Sequence, residues 1–129
     1  MLGRLVPLLK RLVGVPSVSA EDRGVWYGTT RMYVKEIRRS YEKKLRAAES
    51  AGRSGHRERS LRLEAERGAE ILRTRASAGE RVGASDEIIG RMRNCERLLR
   101  ETAGGEVDDG TVDRLCELEE ALRDENPVS

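Results

Sequence analysis

The sequence predicts an all-α fold: a small assembly of four to five amphipathic helices with a thin core and mobile loops, which self-association can complete. Three observations carry that expectation. Apolar residues recur at helical spacing in several separate stretches. Charged residues make up 37% of the 129 residues, so most helix faces must be polar. Phe is absent and Trp26, Tyr27, Tyr33 and Tyr41 are the only aromatics, so the side chains that give the largest single burials are scarce. A chain of this length supports one domain, or several helices that close a core against another copy.

Residues 1–14, MLGRLVPLLKRLVG, form the first predicted element, a basic amphipathic helix. Leu2, Leu5, Val6, Leu8, Leu9, Leu12 and Val13 fill one arc of roughly 160°, and Arg4, Lys10 and Arg11 fall outside it. Pro7 kinks a helix begun at Leu2, or sits in the first turn of one begun near Val6. Gly14 and Pro16 end the segment. Residues 15–30 read as a connecting loop, because Pro16, Ser17, Ser19, Gly24 and Gly28 surround Val25-Trp26-Tyr27. The aromatic pair there either caps the end of the core or stands out as an anchor for a partner.

Residues 31–104 are expected to be a basic helical region. Thr29 or Thr30 can cap its first helix, over about 31–50. Tyr33, Val34, Ile37, Tyr41, Leu45 and Ala48 share one face of that helix. Arg31, Lys35, Arg38, Arg39, Lys43 and Arg46 crowd the other, interrupted mainly by Glu36 and Glu42. After the loop AGRSGH a helix over about 57–78 presents Leu61, Ala65, Ala69, Leu72 and Ala76. Its side chains are small and Gly68 costs up to about 1 kcal/mol relative to Ala, so it should be the weakest by packing. Ser85, with Asp86 and Glu87, starts the next helix, which Gly104-Gly105 stop. Its inner face is Ile88, Met92, Cys95, Leu99 and Thr102. Residues 105–129 hold an acidic helix and tail. Thr111 is the expected cap, and Leu115, Leu118 and Leu122 alternate at three and four, a helix-pairing seam that needs a partner helix in the same chain or a second copy.

Charge is divided along the chain, which is strongly basic through residue 100 and strongly acidic beyond it, although the formal net charge is only +2. Lys10, Lys35, Lys43 and Lys44 are the only lysines among the 25 bases; the rest are Arg, which suits phosphate and carboxylate pairing. A GC-rich coding bias supplies the same Arg excess without selection for binding. Cys95 and Cys116 fit neither metal-ligand spacing nor a disulfide framework, so a reducing intracellular compartment is expected. No apolar run approaches the ~18–20 residues that span a bilayer.

Nothing in the sequence has the pattern of a catalytic site. A phosphate-cradling glycine loop, a metal cluster and a Ser/His/Asp or Cys/His set are all missing. His56 is the only histidine and stands in a polar loop, and Asp108-Asp109-Gly110 lacks the spaced oxygens of a calcium loop. A non-enzymatic protein without cofactor or metal is therefore expected. Its size, Arg bias and terminal amphipathic segment resemble those of small viral accessory proteins. The resemblance is compositional, so no residue role follows from it.

The leading expectation is docking on an anionic membrane surface or an acidic protein. Leu5, Leu9, Leu12 and Val13 would enter the interface beside Arg4, Lys10 and Arg11. Arg38, Arg39, Lys43 and Lys44 would supply a second set of anionic-partner contacts. The competing reading makes residues 1–14 a core helix or a targeting peptide, with mitochondrial or nuclear addresses both open. The alternative function is sequence-tolerant binding of RNA or DNA, limited by an autoinhibitory acidic tail. Arg38-Arg39-Ser40 and Arg57-Glu58-Arg59-Ser60 resemble sites for basic-directed kinases. The simplest use of the charge division is docking of the acidic helix on the 31–50 helix, within or between chains, which makes homo-oligomerisation a rival to external ligands.

Overall fold

A computed structural model of the chain describes residues 18–108 and 110–128. Its elements are α1 (Ala20–Ser50), α2 (Gly55–Val82), α3 (Asp86–Ala103) and α4 (Thr111–Asp124), with no strand among the described residues. The helices in contact are α1–α2, α2–α3, α3–α4 and α4–α1, which closes them into a four-membered ring around one core. The predicted helix over 1–14 lies outside the described residues.

Helix α1 corrects the loop predicted over 15–30, because the chain is helical from Ala20 onward. Ser19 is the cap, not Thr29 or Thr30; its hydroxyl accepts from the Asp22 amide at 3.1 Å. Glu21 and Asp22 add negative charge at the positive end of the helix. Gly24 is not a breaker but a contact point. A Cβ there would lie 2.2 Å from Val128 Cγ2, so only glycine lets the C-terminal residues lie across α1. Trp26 and Tyr27 belong to the core, packed edge to face with ring centroids 5.1 Å apart. The Trp26 indole donates to the Arg75 carbonyl at 3.0 Å, and the Tyr27 hydroxyl accepts from the Ser85 amide at 3.2 Å.

Helix α2 packs on both α1 and α3, so it joins the halves of the bundle rather than forming its weakest part. Leu61, Ala65, Ala69, Leu72 and Ala76 are fully buried. Their small size is what allows close approach. A Cβ on Gly68 would stand 2.9 Å from Ile37 Cγ2 and 3.2 Å from Leu99 Cδ1, and one on Gly79 would stand 2.4 Å from the Trp26 ring. The propensity cost of each glycine, up to about 1 kcal/mol, is offset by the large side chains that it seats.

Helix α3 is capped by Ser85, whose hydroxyl accepts from Ile88 N at 3.1 Å, and it buries Ile88, Met92, Cys95, Leu99 and Thr102. Burial pushes the Cys95 thiol up to about 12, which keeps it protonated and inert. Helix α4 begins after Gly110, whose φ of 77° is left-handed. Thr111, expected as the cap, is instead its first helical residue and is buried. Leu115, Leu118 and Leu122 are fully buried against α1 and α3, so the leucine seam meets its partner helices within the same chain. The acidic helix therefore does dock on α1. The Arg38 guanidinium pairs with Glu119 through Nε–Oε2 and donates Nη2 to Oε1 at 3.4 Å.

Candidate anion-facing surface

Ion pairing is unequal between the two halves of the bundle. Every arginine of α3 and α4 has a carboxylate partner. Arg91 meets Glu87 at 3.1 Å, Arg93 meets Glu80 and Glu96 at 3.4 Å, and Arg97 meets Glu101 at 2.6 Å. Arg100 meets Glu70 at 3.0 Å, Arg114 meets Glu117 at 3.0 Å, and Arg123 meets Asp124 at 3.1 Å. On α1 and α2, by contrast, Arg31, Lys35, Arg39, Lys43, Lys44, Arg57, Arg59 and Arg81 have no carboxylate within 4.0 Å among the described residues.

The anionic-partner residues expected from sequence thus separate. Arg39 and Lys43 are exposed and unpaired. Arg38 is committed to Glu119 and Glu42, and the Glu119 hydrogen bond raises its pKa further, so it is withdrawn from external anions. Lys44 is half-buried and donates to Ser60 Oγ at 3.1 Å, across the α1–α2 groove. Arg38 and Arg39 are neighbours in sequence but point about 100° apart on the helix, toward α4 and toward solvent. The expected membrane-binding set, Arg4, Leu5, Leu9, Lys10, Arg11, Leu12 and Val13, lies outside the described residues.

Two apolar side chains share the cationic face. Val25 and Met32 are 67% and 73% exposed, and they fall with Arg39 and Lys43 inside a sector of about 40° on the α1 wheel. The outer face of α1 therefore runs from apolar near the start of the described chain to cationic near its far end. Tyr33, half-exposed beside this face, carries the Arg75 guanidinium 5.5 Å from its ring centroid. Arg75 also lies 5.9 Å from the Trp26 ring and donates to Thr30 Oγ1 from Nε and Nη2, at 3.0 and 2.8 Å. Burial of that guanidinium without a carboxylate lowers its pKa.

Sequence reasoning placed Lys43 and Lys44 correctly on one helix but did not join them to His56, Arg57 and Ser60, which line the same groove with Ser40 and Ala47. A usable signal was present. In an antiparallel helix pair, residues equidistant from the turn face each other, as Lys44 and Ser60 do on either side of residues 51–54, and as Ile37 and Gly68 do farther along. The turn itself is held by Arg53, which adopts a left-handed φ of 58°. Arg53 donates Nε to Glu58 at 2.5 Å and Nη2 to the Glu106 carbonyl at 3.3 Å. The hydrogen bond from Arg53, helped by one from Arg62, holds the buried Glu58 carboxyl down to about 2.

At the same end of the bundle, where Arg53 reaches the α3–α4 connection, the buried Tyr41 hydroxyl is 3.0 Å from Thr102 Oγ1 and donates to Asp108 Oδ1 at 2.5 Å. Burial raises its pKa well above the usual phenol value. No helix among the described residues is long and apolar enough to cross a membrane. No family model, curated protein or solved structure matches the chain.

Proposed function

We propose that this chain is a small non-enzymatic interaction protein that docks on an anionic membrane surface, using the basic segment 1–14 together with the outer face of α1 and α2. The observation that carries this reading is the segregation of charge: among the described residues, the cations without carboxylate partners lie on α1 and α2, and α3 and α4 have none. A cation neutralised by its neighbour adds little attraction, whereas an unpaired one near an anionic leaflet is worth about 1 kcal/mol. Exposed Val25 and Met32 on the same face give the headgroup region apolar groups to accept.

A single short amphipathic segment binds membranes weakly and reversibly. A second basic surface joined directly to it raises the effective concentration of each for the same membrane. The nucleic-acid reading has less support for single strands, whose sequence-tolerant binding draws on aromatic rings for stacking. Tyr41 is fully buried, and Tyr33 has Arg75 over its ring.

Co-sedimentation with phosphatidylserine vesicles tests the proposal on three proteins: the full chain, a form lacking residues 1–14, and Arg39→Gln/Lys43→Gln. The full chain is expected to bind, the truncated form to bind at least about tenfold more weakly, and the double variant roughly 30-fold more weakly, from ~1 kcal/mol per cation. Equal binding by all three, or by none, overturns the reading. Tight, salt-sensitive binding to a single-stranded oligonucleotide without vesicle binding would reassign the surface to nucleic acid.

A further inference from the structure

The geometry points to a binding site for a phosphomonoester, the exposed phosphate of a membrane lipid headgroup, in the groove between the second half of α1 and the first turns of α2. The inference deepens the docking proposal and rests on it for the lipid as source. The groove holds about 290 Å³, room for a phosphate and part of the ring that carries it. Helix α1 supplies Ser40, Lys43, Lys44 and Ala47, and α2 supplies His56, Arg57 and Ser60. The α1 residues fall at i, i+3, i+4 and i+7, the spacing that puts side chains in one row.

Three features separate this groove from a merely solvated basic face. First, its lining contains Lys43, Lys44 and Arg57 and no carboxylate. The two acids adjacent in sequence, Glu42 and Glu58, are engaged elsewhere: Glu42 by Arg46 at 2.7 Å, and Glu58 by Arg53 and Arg62 at 2.5 and 2.9 Å. Second, Lys44 is pre-positioned. Its ammonium donates to Ser60 Oγ at 3.1 Å, which leaves the Ser60 hydroxyl hydrogen to point at an incoming oxygen. Third, the alanine at position 47 leaves space between the cationic side chains instead of filling it.

Two ammonium groups, a guanidinium and two hydroxyls offer more donors than one carboxylate can accept. They match the three terminal oxygens and the charge of about −1.5 to −2 of a phosphomonoester. A phosphodiester, with one charge and two free oxygens, would leave part of the set unused. Ser54 makes no side-chain capping bond at the start of α2, so the positive end of that helix adds to the same potential.

The test titrates inorganic pyrophosphate into the full chain, followed by amide NMR, and then offers vesicles. Saturable shifts are expected at Ser40, Lys43, Lys44, Arg57 and Ser60. The affinity should fall at least about tenfold in Lys44→Gln/Arg57→Gln. It should change less than about twofold in Arg97→Gln/Arg123→Gln, which removes the same charge from exposed positions on α3 and α4, outside both the groove and the docking face. Circular dichroism checks that both variants keep the helical fold. In the vesicle arm, a phosphoinositide bearing a ring phosphate should be preferred over phosphatidylserine at equal surface charge, and the preference should vanish in Lys44→Gln/Arg57→Gln. Diffuse, non-saturating shifts, or equal losses in the two double variants, overturn the site. Vesicle binding without headgroup preference overturns it while leaving the docking proposal standing. Saturable pyrophosphate binding without any vesicle binding overturns the lipid source and the docking proposal together, and assigns the groove to a soluble phosphate ester.

Discussion

The α1–α2 half and the α3–α4 half are built from the same few residue types, chiefly Arg, Glu, Leu and Ala, yet they present opposite surfaces. In α3 each base has an acid three or four residues away, as in Glu87–Arg91, Arg93–Glu96 and Arg97–Glu101, so charge is cancelled within the helix. In α1 the bases come in runs with few acids between them, and Arg38 finds its carboxylate across the bundle on α4. Overall composition cannot tell a cancelled surface from an open one. Spacing along each helix decides which of the two forms.

The comparison breaks most severely if α4 is removed. Loss of residues 101–129 exposes the core that Leu115, Leu118 and Leu122 cover, so the expected outcome is loss of cooperative unfolding, not tighter anion binding. Urea denaturation followed by circular dichroism checks this. A stable, better-binding truncated form would restore the idea of a detachable autoinhibitory tail. Leu118→Ala alone should cost about 2–5 kcal/mol in the same experiment. A change below about 1 kcal/mol would mean that α4 is not part of the core.

Glu119→Gln is the sharper probe of charge division. It leaves the part-buried Arg38 without its main carboxylate, at an expected cost of about 1.5–3 kcal/mol. It also adds one cation to the open half, so vesicle affinity should rise as stability falls. An unchanged vesicle affinity would show that Arg38 still faces inward after its partner is gone.

Acid should act through Glu58. Its folded pKa, about 2, is below the ordinary value of 4.5, so its contribution is complete above about pH 4.5 and is lost as the pH falls toward 2. Glu58→Gln should flatten that part of the stability profile. Glu70, exposed and held low by Arg73 and Arg100, titrates in the same window, so part of the slope should remain. The smallest effect belongs to the cancelled half. Glu87→Gln should change stability by only about 0.2–0.5 kcal/mol, and vesicle binding hardly at all.

Much of this was legible from residue spacing. The faces of α2, α3 and α4 are the ones that periodicity gives, because one apolar stripe per helix suffices to orient it. The start of α1 was not legible, since Gly24 and Gly28 read locally as breakers. The reason for Gly24 lies more than a hundred residues away in Val128. The rank of α2 was misread for a related reason: small residues suggest weak packing until the helices they bring together are known. The groove was half legible. Ser40, Lys43 and Lys44 share a row on α1, but joining them to Arg57 and Ser60 requires the two helices to fold back at the 51–54 turn.

Trp26 is the only tryptophan in the chain, and it sits on Gly79 where α1 meets α2, with its indole hydrogen-bonded and Arg75 beside its ring. The molecule therefore carries its own optical gauge of that interface. Tryptophan fluorescence, excited where the tyrosines do not absorb, reports whether the two helices stay clasped when the outer face meets its target. An unchanged emission maximum on binding would mark a rigid surface that lands intact, and a red shift would mark a hairpin that opens as it lands.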